Sequence, residues 1–446
     1  MPDAAADPPA QSVRRLASTT LVTNLAIAVS SLLTVVVIGR ALGPAGRGDV
    51  AAFQLIPLIG ALVFALGLPH AASYFAAIRP DAARQVIRSS LGIAVLAAVP
   101  GVLITGFAAY LYLASDASPG IRAAGLVFSI SVLLLPLGGV LIHPQRSIQR
   151  TQLWNGLRYL LDMSLISVAI VVVVGVRSLV VLALVQIIWI AAVVMGAALP
   201  WWRRRDSSAT PVTSKAIIAF GAPTMLATLP YFLNFRVDQL ILNAVEGSES
   251  LGFYATAVSV SAASLPVSNT IAMLALPRLA GRTDDRDFAA GRFIRTSVAI
   301  GVSTALVLAA LAPVAVLVLF GSAFAPSVTL AVALSFVTAM LGVTTTAEEV
   351  LRAYGDVRRP ARAQLIGLVL NIALLSVLIP LMGAWGAVIA SGATYALVCA
   401  LVLTRVRRVA NLSRREMVPT RADVRALLSA VRRRPALVPD PDGAPG

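Results

Sequence analysis

Arg236 and Asp238 stand two residues apart inside the apolar run Tyr231-Phe-Leu-Asn234-Phe-Arg236-Val-Asp238-Gln239-Leu-Ile-Leu. A charge at membrane depth costs about 2.5 to 3.5 kcal/mol on insertion scales, so it faces a protein interior or a water-filled path. At helical spacing the two side chains diverge by about 200° and cannot pair within one helix. Arg236 presents a planar fork of donors that suits phosphate oxygens and keeps its charge at any relevant pH. Its alternative is an ion pair with another helix. Asp238 either pairs between helices or takes up a coupling ion, proton or sodium, and Glu348 shares that pair of readings. Arg40 and Asn234 join Arg236 as candidate substrate-binding residues. Arg47, in the same connection as Arg40, reads as an interfacial residue snorkelling to water. Pro223 and Pro230 flank the approach to the charged motif and are the candidate hinges, because proline removes a backbone donor. Tyr231, Phe232, Phe235, Phe253 and Tyr254 could stack on sugar rings or simply pack.

The elements that position these residues are apolar helices. The chain has 446 residues, 58% of them hydrophobic and only 13% charged, with a mean hydropathy of +0.87; soluble domains carry roughly a quarter charged residues. The composition defines an all-α polytopic membrane protein. A lone cysteine, Cys399, excludes an internal disulfide, and His70 and His143 stand far apart in sequence without metal-ligand spacing, so no metal site is expected. The net charge of +16 comes with no nucleic-acid-reading motif. In a membrane protein such charge sets orientation instead.

Twelve apolar runs long enough to span the bilayer lie between residues 17 and 405. Arginines crowd alternate connections, those holding Arg79, Arg146, Arg203, Arg278 and Arg358, whereas the other connections hold only Arg40, Arg47, Arg122 and Arg177. That asymmetry places both termini in the cytoplasm. The polar stretch 201–215 divides a half at 17–200 from a half at 216–405, with a cytoplasmic segment at 1–16 and a basic tail at 406–446. The halves repeat: an offset of 204 aligns Gly43 with Gly247, Gly48 with Gly252 and Ala51 with Ala255, and an offset of 208 aligns Arg150 with Arg358 and Gly175 with Gly383. Duplicated halves with a site between them are a common transporter plan. In the tail, Thr420 to Asp423 reads as a helix start, followed by Val424, Leu427, Leu428 and Val431 at amphipathic spacing. This helix is expected to lie on anionic membrane lipids, with binding of a partner enzyme as the alternative and a disordered end beyond it.

Several segments resemble the oligosaccharide flippase family of polysaccharide-biosynthesis membrane proteins, within the multidrug/oligosaccharidyl-lipid/polysaccharide exporter superfamily. They are Ile38-Gly-Arg40-Ala-Leu-Gly43-Pro44-Ala-Gly46-Arg-Gly48, Gly221-Ala-Pro223 with Asn234-Phe-Arg236-Val-Asp238, Gly252-Phe-Tyr254-Ala255, Leu276-Pro277-Arg278, and Leu351-Arg-Ala-Tyr-Gly355 followed by Asn371 and Ile379-Pro380. The resemblance implies two six-helix bundles around a central cavity that opens to either side in turn. It implies a cargo of undecaprenyl-pyrophosphate-linked oligosaccharide moved to the outer leaflet of a bacterial cytoplasmic membrane, a cationic cavity, coupling to an ion gradient, and no enzymatic step or organic cofactor. Polysaccharide polymerase or glycosyltransferases are the implied protein partners. Other readings are a cation-coupled multidrug exporter, which would favour acidic cavity groups, and a membrane scaffold or enzyme of glycan assembly.

Overall fold

The computed structural model describes residues 10–113, 119–204, 211–280 and 286–420. The basic tail helix expected beyond residue 420 and part of the 201–215 linker lie outside them. Within the described residues the chain runs through α1 (Ala10–Phe64), α2 (Leu68–Ile78), α3 (Ala83–Tyr112), α4 (Pro119–Phe128), α5 (Ser131–Ser147), α6 (Thr151–Asp162), α7 (Ser164–Val173) and α8 (Leu179–Trp202). It continues through α9 (Ser214–Asn234), α10 (Val237–Ser261), α11 (Leu265–Ala280), α12 (Arg286–Val314), α13 (Pro326–Ala353), α14 (Arg358–Met382) and α15 (Ala384–Val409).

Ten helical stretches are long and apolar enough to cross a membrane, or eleven when α6 and α7, bent by 41°, are taken as one span. One stretch, Val22–Ile78, has 57 residues, which at 1.5 Å per residue is far longer than a bilayer is thick. It reverses at Gly43, whose φ of 71° and ψ of −175° leave the helical region. Ser30, before that glycine, bonds Tyr159, while Gln54, after it, reaches Ser164 through Gln186. Both limbs therefore lie beside the same α6–α7 segment. Gly247 does the same in α10, with φ 80° and ψ −177°, and Asp238 before it bonds Tyr254 beyond it. With both reversals counted, and α9 joined to the first limb of α10, the described residues make twelve passes.

The two reversals correct the expected span limits. Connections of several residues were anticipated on either side of 43 and 247; a single glycine makes each turn, because its missing Cβ allows positive φ. Arg47 therefore lies inside a helix, not in an interfacial loop. Gly175 and Gly383, aligned at the other offset, also share positive φ, 97° and 56°.

The core is three clusters, two of which draw on both halves of the chain. Phe53, Leu68, Phe128, Leu182 and Trp201 anchor one cluster. Tyr254, Leu334 and Leu375 anchor a second, and Leu279, Ile294, Val350 and Val402 a third. The outer faces carry lipid-facing residues such as Leu103, Val369 and Leu381, all well exposed. The bundles meet where backbone touches backbone. A Cβ on Gly48 would stand 1.6 Å from the Ser248 carbonyl oxygen, and one on Gly252 would stand 2.0 Å from that of Pro44. These contacts exchange under the 204-residue offset, so the seam is a pseudo-two-fold contact that shuts the cavity at the Gly43 end. Gly67 and Gly221 bring α2 and α9 together in the same manner, with Cβ clearances of 2.1 and 2.6 Å to backbone oxygens.

Gly48→Val and Gly252→Val are expected to part the Gly43 seam. In a Cys399→Ser, Ser259→Cys background, labelling of the cavity by a membrane-impermeant maleimide added from the Gly43 side should rise several-fold. Unchanged labelling of a folded variant would show that this seam is not the closure.

Candidate functional site

The chain breaks between α9 and α10, inside an apolar stretch that is long enough to cross a membrane. Asn234 ends α9, Phe235 and Arg236 leave the helix, and Arg236, at φ −132°, flanks the start of α10. Eleven residues from Gly247, the break lies roughly 16 Å below that turn. Pro223 and Pro230 fall inside α9, so the visible discontinuity sits beyond the proposed hinge prolines.

A break at this depth exposes carbonyls that must find donors in the protein. The Asn234 carbonyl accepts from Tyr395 Oη at 3.2 Å and from Asn371 Nδ2 at 3.4 Å, while its side-chain Nδ2 donates to the carbonyl and Oε1 of Gln364 at 3.1 and 3.3 Å. Gln364 Nε2 in turn donates to Glu348 Oε1 at 2.9 Å, and Arg352 Nη2 stands 3.9 Å from Glu348. Asn234 and Glu348 thus belong to one buried chain tying α9 to α13, α14 and α15. Asp238 lies beside it, 5% exposed. It accepts from Tyr254 Oη at 2.6 Å, from the Gln239 N–H at 2.7 Å and from Ser391 Oγ at 3.5 Å. Its carboxylate faces the interior of the second bundle.

Arg236 turns the other way. Its guanidinium lies 5.5 Å from the Phe235 ring and contacts Gln239 Oε1 at 3.4 Å. It lines an inter-bundle cavity of about 280 Å³ together with Arg47, Gln54, Ser31 and Ser259. Arg47 is close enough to Arg236 for the two charges to repel, and its Nε is buried without an acceptor. The cavity lining contains no Asp or Glu. Two guanidiniums, one from each half of the chain, therefore converge on a hollow whose remaining wall is largely apolar, with Leu32, Leu55, Leu58 and Val258 in it, an arrangement suited to an anion.

Arg40 is not in that lining. Its Nε donates to the Leu319 carbonyl at 2.6 Å and its Nη2 to the Val318 carbonyl, which ties α1 to the final turn of the α12 segment. Arg47, read from sequence as interfacial, stands in the cavity instead. Its signal was the repeat itself: the same offset that aligns Gly43 with Gly247 places Arg47 on the inner limb of a helical reversal.

Ala28 and Ala262 line both this hollow and a neighbouring cavity of about 410 Å³. This wider cavity lies between α1 and α11 toward the arginine-rich end and is lined by Asn24, Arg158, Asp162, Asn269 and Glu349. Sequence spacing suggests an Arg158–Asp162 pair; the two charges attract each other, and Arg158 Nη2 also donates to Asn24 Oδ1, with its guanidinium 4.5 Å from the Trp154 ring. His70 and His143, distant in sequence, meet with ring centroids 6.1 Å apart.

Twelve helical passes among the described residues, around such a cavity, have the architecture of a polytopic membrane transporter. The fold is shared with a multidrug resistance MATE family transporter of the MOP superfamily in an inward-facing conformation, at TM-score 0.71 and 13% identity over 88% of this chain and 99% of that one. It is shared with the lipid II flippase MurJ in an inward closed conformation, at TM-score 0.74 and 12% identity over 87% of each chain. An outward-facing MATE transporter matches at TM-score 0.66 and 14% identity, over 92% of this chain and 98% of that one. No curated protein matches by sequence. The family model for polysaccharide biosynthesis proteins matches residues 13–281, and that for the lipid II flippase MurJ matches 156–431. The chain belongs to the polysaccharide biosynthesis protein family and is a membrane flippase.

Asn371→Leu removes one donor from the broken turn without touching the cavity. It should destabilise the protein by about 1 kcal/mol, lowering its melting temperature in detergent. An unchanged melting temperature would mean that the break is held by other contacts.

Proposed function

We propose that the protein carries an undecaprenyl-pyrophosphate-linked oligosaccharide from the cytoplasmic to the outer leaflet of a bacterial cytoplasmic membrane by alternating access. The observation that carries this reading is the convergence of Arg47 and Arg236, from opposite bundles, on a cavity without carboxylates. A pyrophosphate bridging them would relieve their mutual repulsion and draw the bundles together. A cationic drug would meet two positive charges and no carboxylate in the lining there, which disfavours the multidrug-export alternative.

The geometry also suits a lipid-linked cargo. A charged headgroup and polar glycan cannot enter hydrocarbon without a large desolvation cost, whereas the wider cavity between α1 and α11 offers them a polar lateral route while the polyprenyl tail stays in the bilayer. Residues 17–200 and 216–405 act as the two moving bodies, joined through 201–215. The arginine-rich end faces the cytoplasm, in keeping with the charge asymmetry of the connections, and both termini lie on that side. Asp238 and Glu348 sit in the polar network behind the break. A proton or sodium ion at either would alter how α10 is held by α14 and α15, and so couple ion binding to Arg236. Polymerase or glycosyltransferase partners would supply and consume the carried glycan.

Translocation of lipid-linked oligosaccharide in proteoliposomes tests the reading. Arg236→Ala and Arg47→Ala should each slow transport by about tenfold or more, the range expected when a charge-assisted contact is lost. Arg236→Lys should keep part of the rate, and Asp238→Asn should weaken its dependence on an ion gradient. Full activity in both arginine variants would sink the assignment of the cavity to pyrophosphate.

A further inference from the structure

At the arginine-rich end, α14 and α15 bring four arginines to one groove of about 360 Å³. Arg359 and Arg362 lie one turn apart on α14, and Arg405 and Arg408 one turn apart on α15. The floor is apolar, formed by Leu351, Ala363 and Val402. Ile366 and Leu401, 53% and 38% exposed, continue the apolar wall onto the lipid-facing surface. Asp356 is the acid that meets these arginines: it accepts from Arg405 Nε at 2.5 Å and stands 3.9 Å from Arg359 Nη1. One carboxylate against four guanidiniums leaves an excess of three positive charges. Arg362 and Arg408 have no ionic or hydrogen-bonded partner among the described residues.

Like charges gathered in one groove repel unless anions screen them. A cationic rim at the membrane interface above an apolar wall at membrane depth matches a phospholipid, with its phosphate at the guanidiniums and its acyl chains along Ile366 and Leu401. Arginine rather than lysine at all four positions favours forked contacts with phosphate oxygens. The arginines come as two pairs on two helices, which suits a headgroup with two phosphates better than one with a single phosphate.

We propose that the α14–α15 groove binds an anionic phospholipid carrying two phosphates, of the diphosphatidylglycerol class. Such a lipid would staple α14 to α15. α14 also carries Gln364 and Asn371, the residues that hold the broken turn at Asn234, so the groove connects the lipid surroundings to the element bearing Arg236. The site stands independently of what the transporter carries.

Native mass spectrometry of the full-length protein, titrated with tetraoleoyl cardiolipin, dioleoyl phosphatidylglycerol and dioleoyl phosphatidylcholine, provides the test. Cardiolipin should bind about tenfold more tightly than phosphatidylglycerol, with no retention of phosphatidylcholine, and Arg362→Ala/Arg408→Ala should weaken cardiolipin by about tenfold or more. Both arginines are exposed, so the variant should keep the wild-type melting temperature in phosphatidylcholine nanodiscs. Should it melt lower, Arg362→Lys/Arg408→Lys replaces it, with a smaller loss of cardiolipin affinity expected. Equal cardiolipin affinity in variant and wild type would overturn the proposal, as would equal retention of phosphatidylcholine. Displacement of cardiolipin by inorganic pyrophosphate would overturn it too, since the groove would then be a site for soluble phosphates.

Discussion

The contact of Gly48 with the Ser248 carbonyl, mirrored by Gly252 with that of Pro44, is the constraint on which the rest of the architecture depends. Within a bilayer, helices gain little from hiding apolar side chains from one another, because lipid is equally apolar; close backbone approach and polar contacts hold them instead. A side chain at either glycine would push the bundles apart by more than rotamer changes could absorb. With the seam shut, the limb after Gly43 and the limb after Gly247 are fixed side by side. The cavity beneath them inherits Arg47 from one limb, while the other limb, through Tyr254, holds the Asp238 that begins the limb before Gly247.

The broken turn at Phe235 and Arg236 resolves the problem posed by two opposite charges in one apolar run. A continuous helix would point them about 200° apart but would leave Arg236 against whichever helix lay opposite. Interrupting the helix frees Arg236 to lie in the cavity, and α10 begins again at once with Asp238 in its first turn, where a carboxylate is favoured by the helix dipole. The unpaired carbonyl of Asn234 is the cost, and Asn371 and Tyr395 offset it. One charge thus serves the cavity and the other the interior, without an ion pair between them.

Much of this was legible in the sequence because the membrane simplifies the signal. Apolar runs of span length revealed the passes, and the 204-residue offset singled out Gly43, Gly48, Gly247 and Gly252, whose shared geometry the structure displays. Arg236 and Asp238 were visible as charges where charge is expensive. Arg47 was harder to place, because a reversal accomplished by one glycine looks, in a hydropathy pattern, like an ordinary loop around it. Arg40 and Asn234 were harder still. Their partners, the Leu319 carbonyl and Gln364, lie more than a hundred residues away, and backbone acceptors leave no mark in a sequence. Arg158 was legible in part: spacing pointed to Asp162, with which it does interact, but not to Asn24, more than a hundred residues away.

The asymmetry of the bundle contacts bears on how such a molecule could move. Both seams join backbone to backbone through glycines, yet they lie at different places: one at the Gly43 end, the other where α2 meets α9. Across from the second seam, α1 and α11 are separated by the wider cavity that Asn24 and Asn269 help to line. Alternating access, as proposed, would require that gap to close and the Gly43 seam to open. Arg47 and Arg236 lie between the two gaps and repel each other, so an anion bound to both reduces the cost of bringing the bundles together around it. In the proposed transport cycle, cargo charge and bundle closure would be linked through this one cavity, beside the broken turn at Arg236 that Asn371 and Tyr395 hold from within the second half.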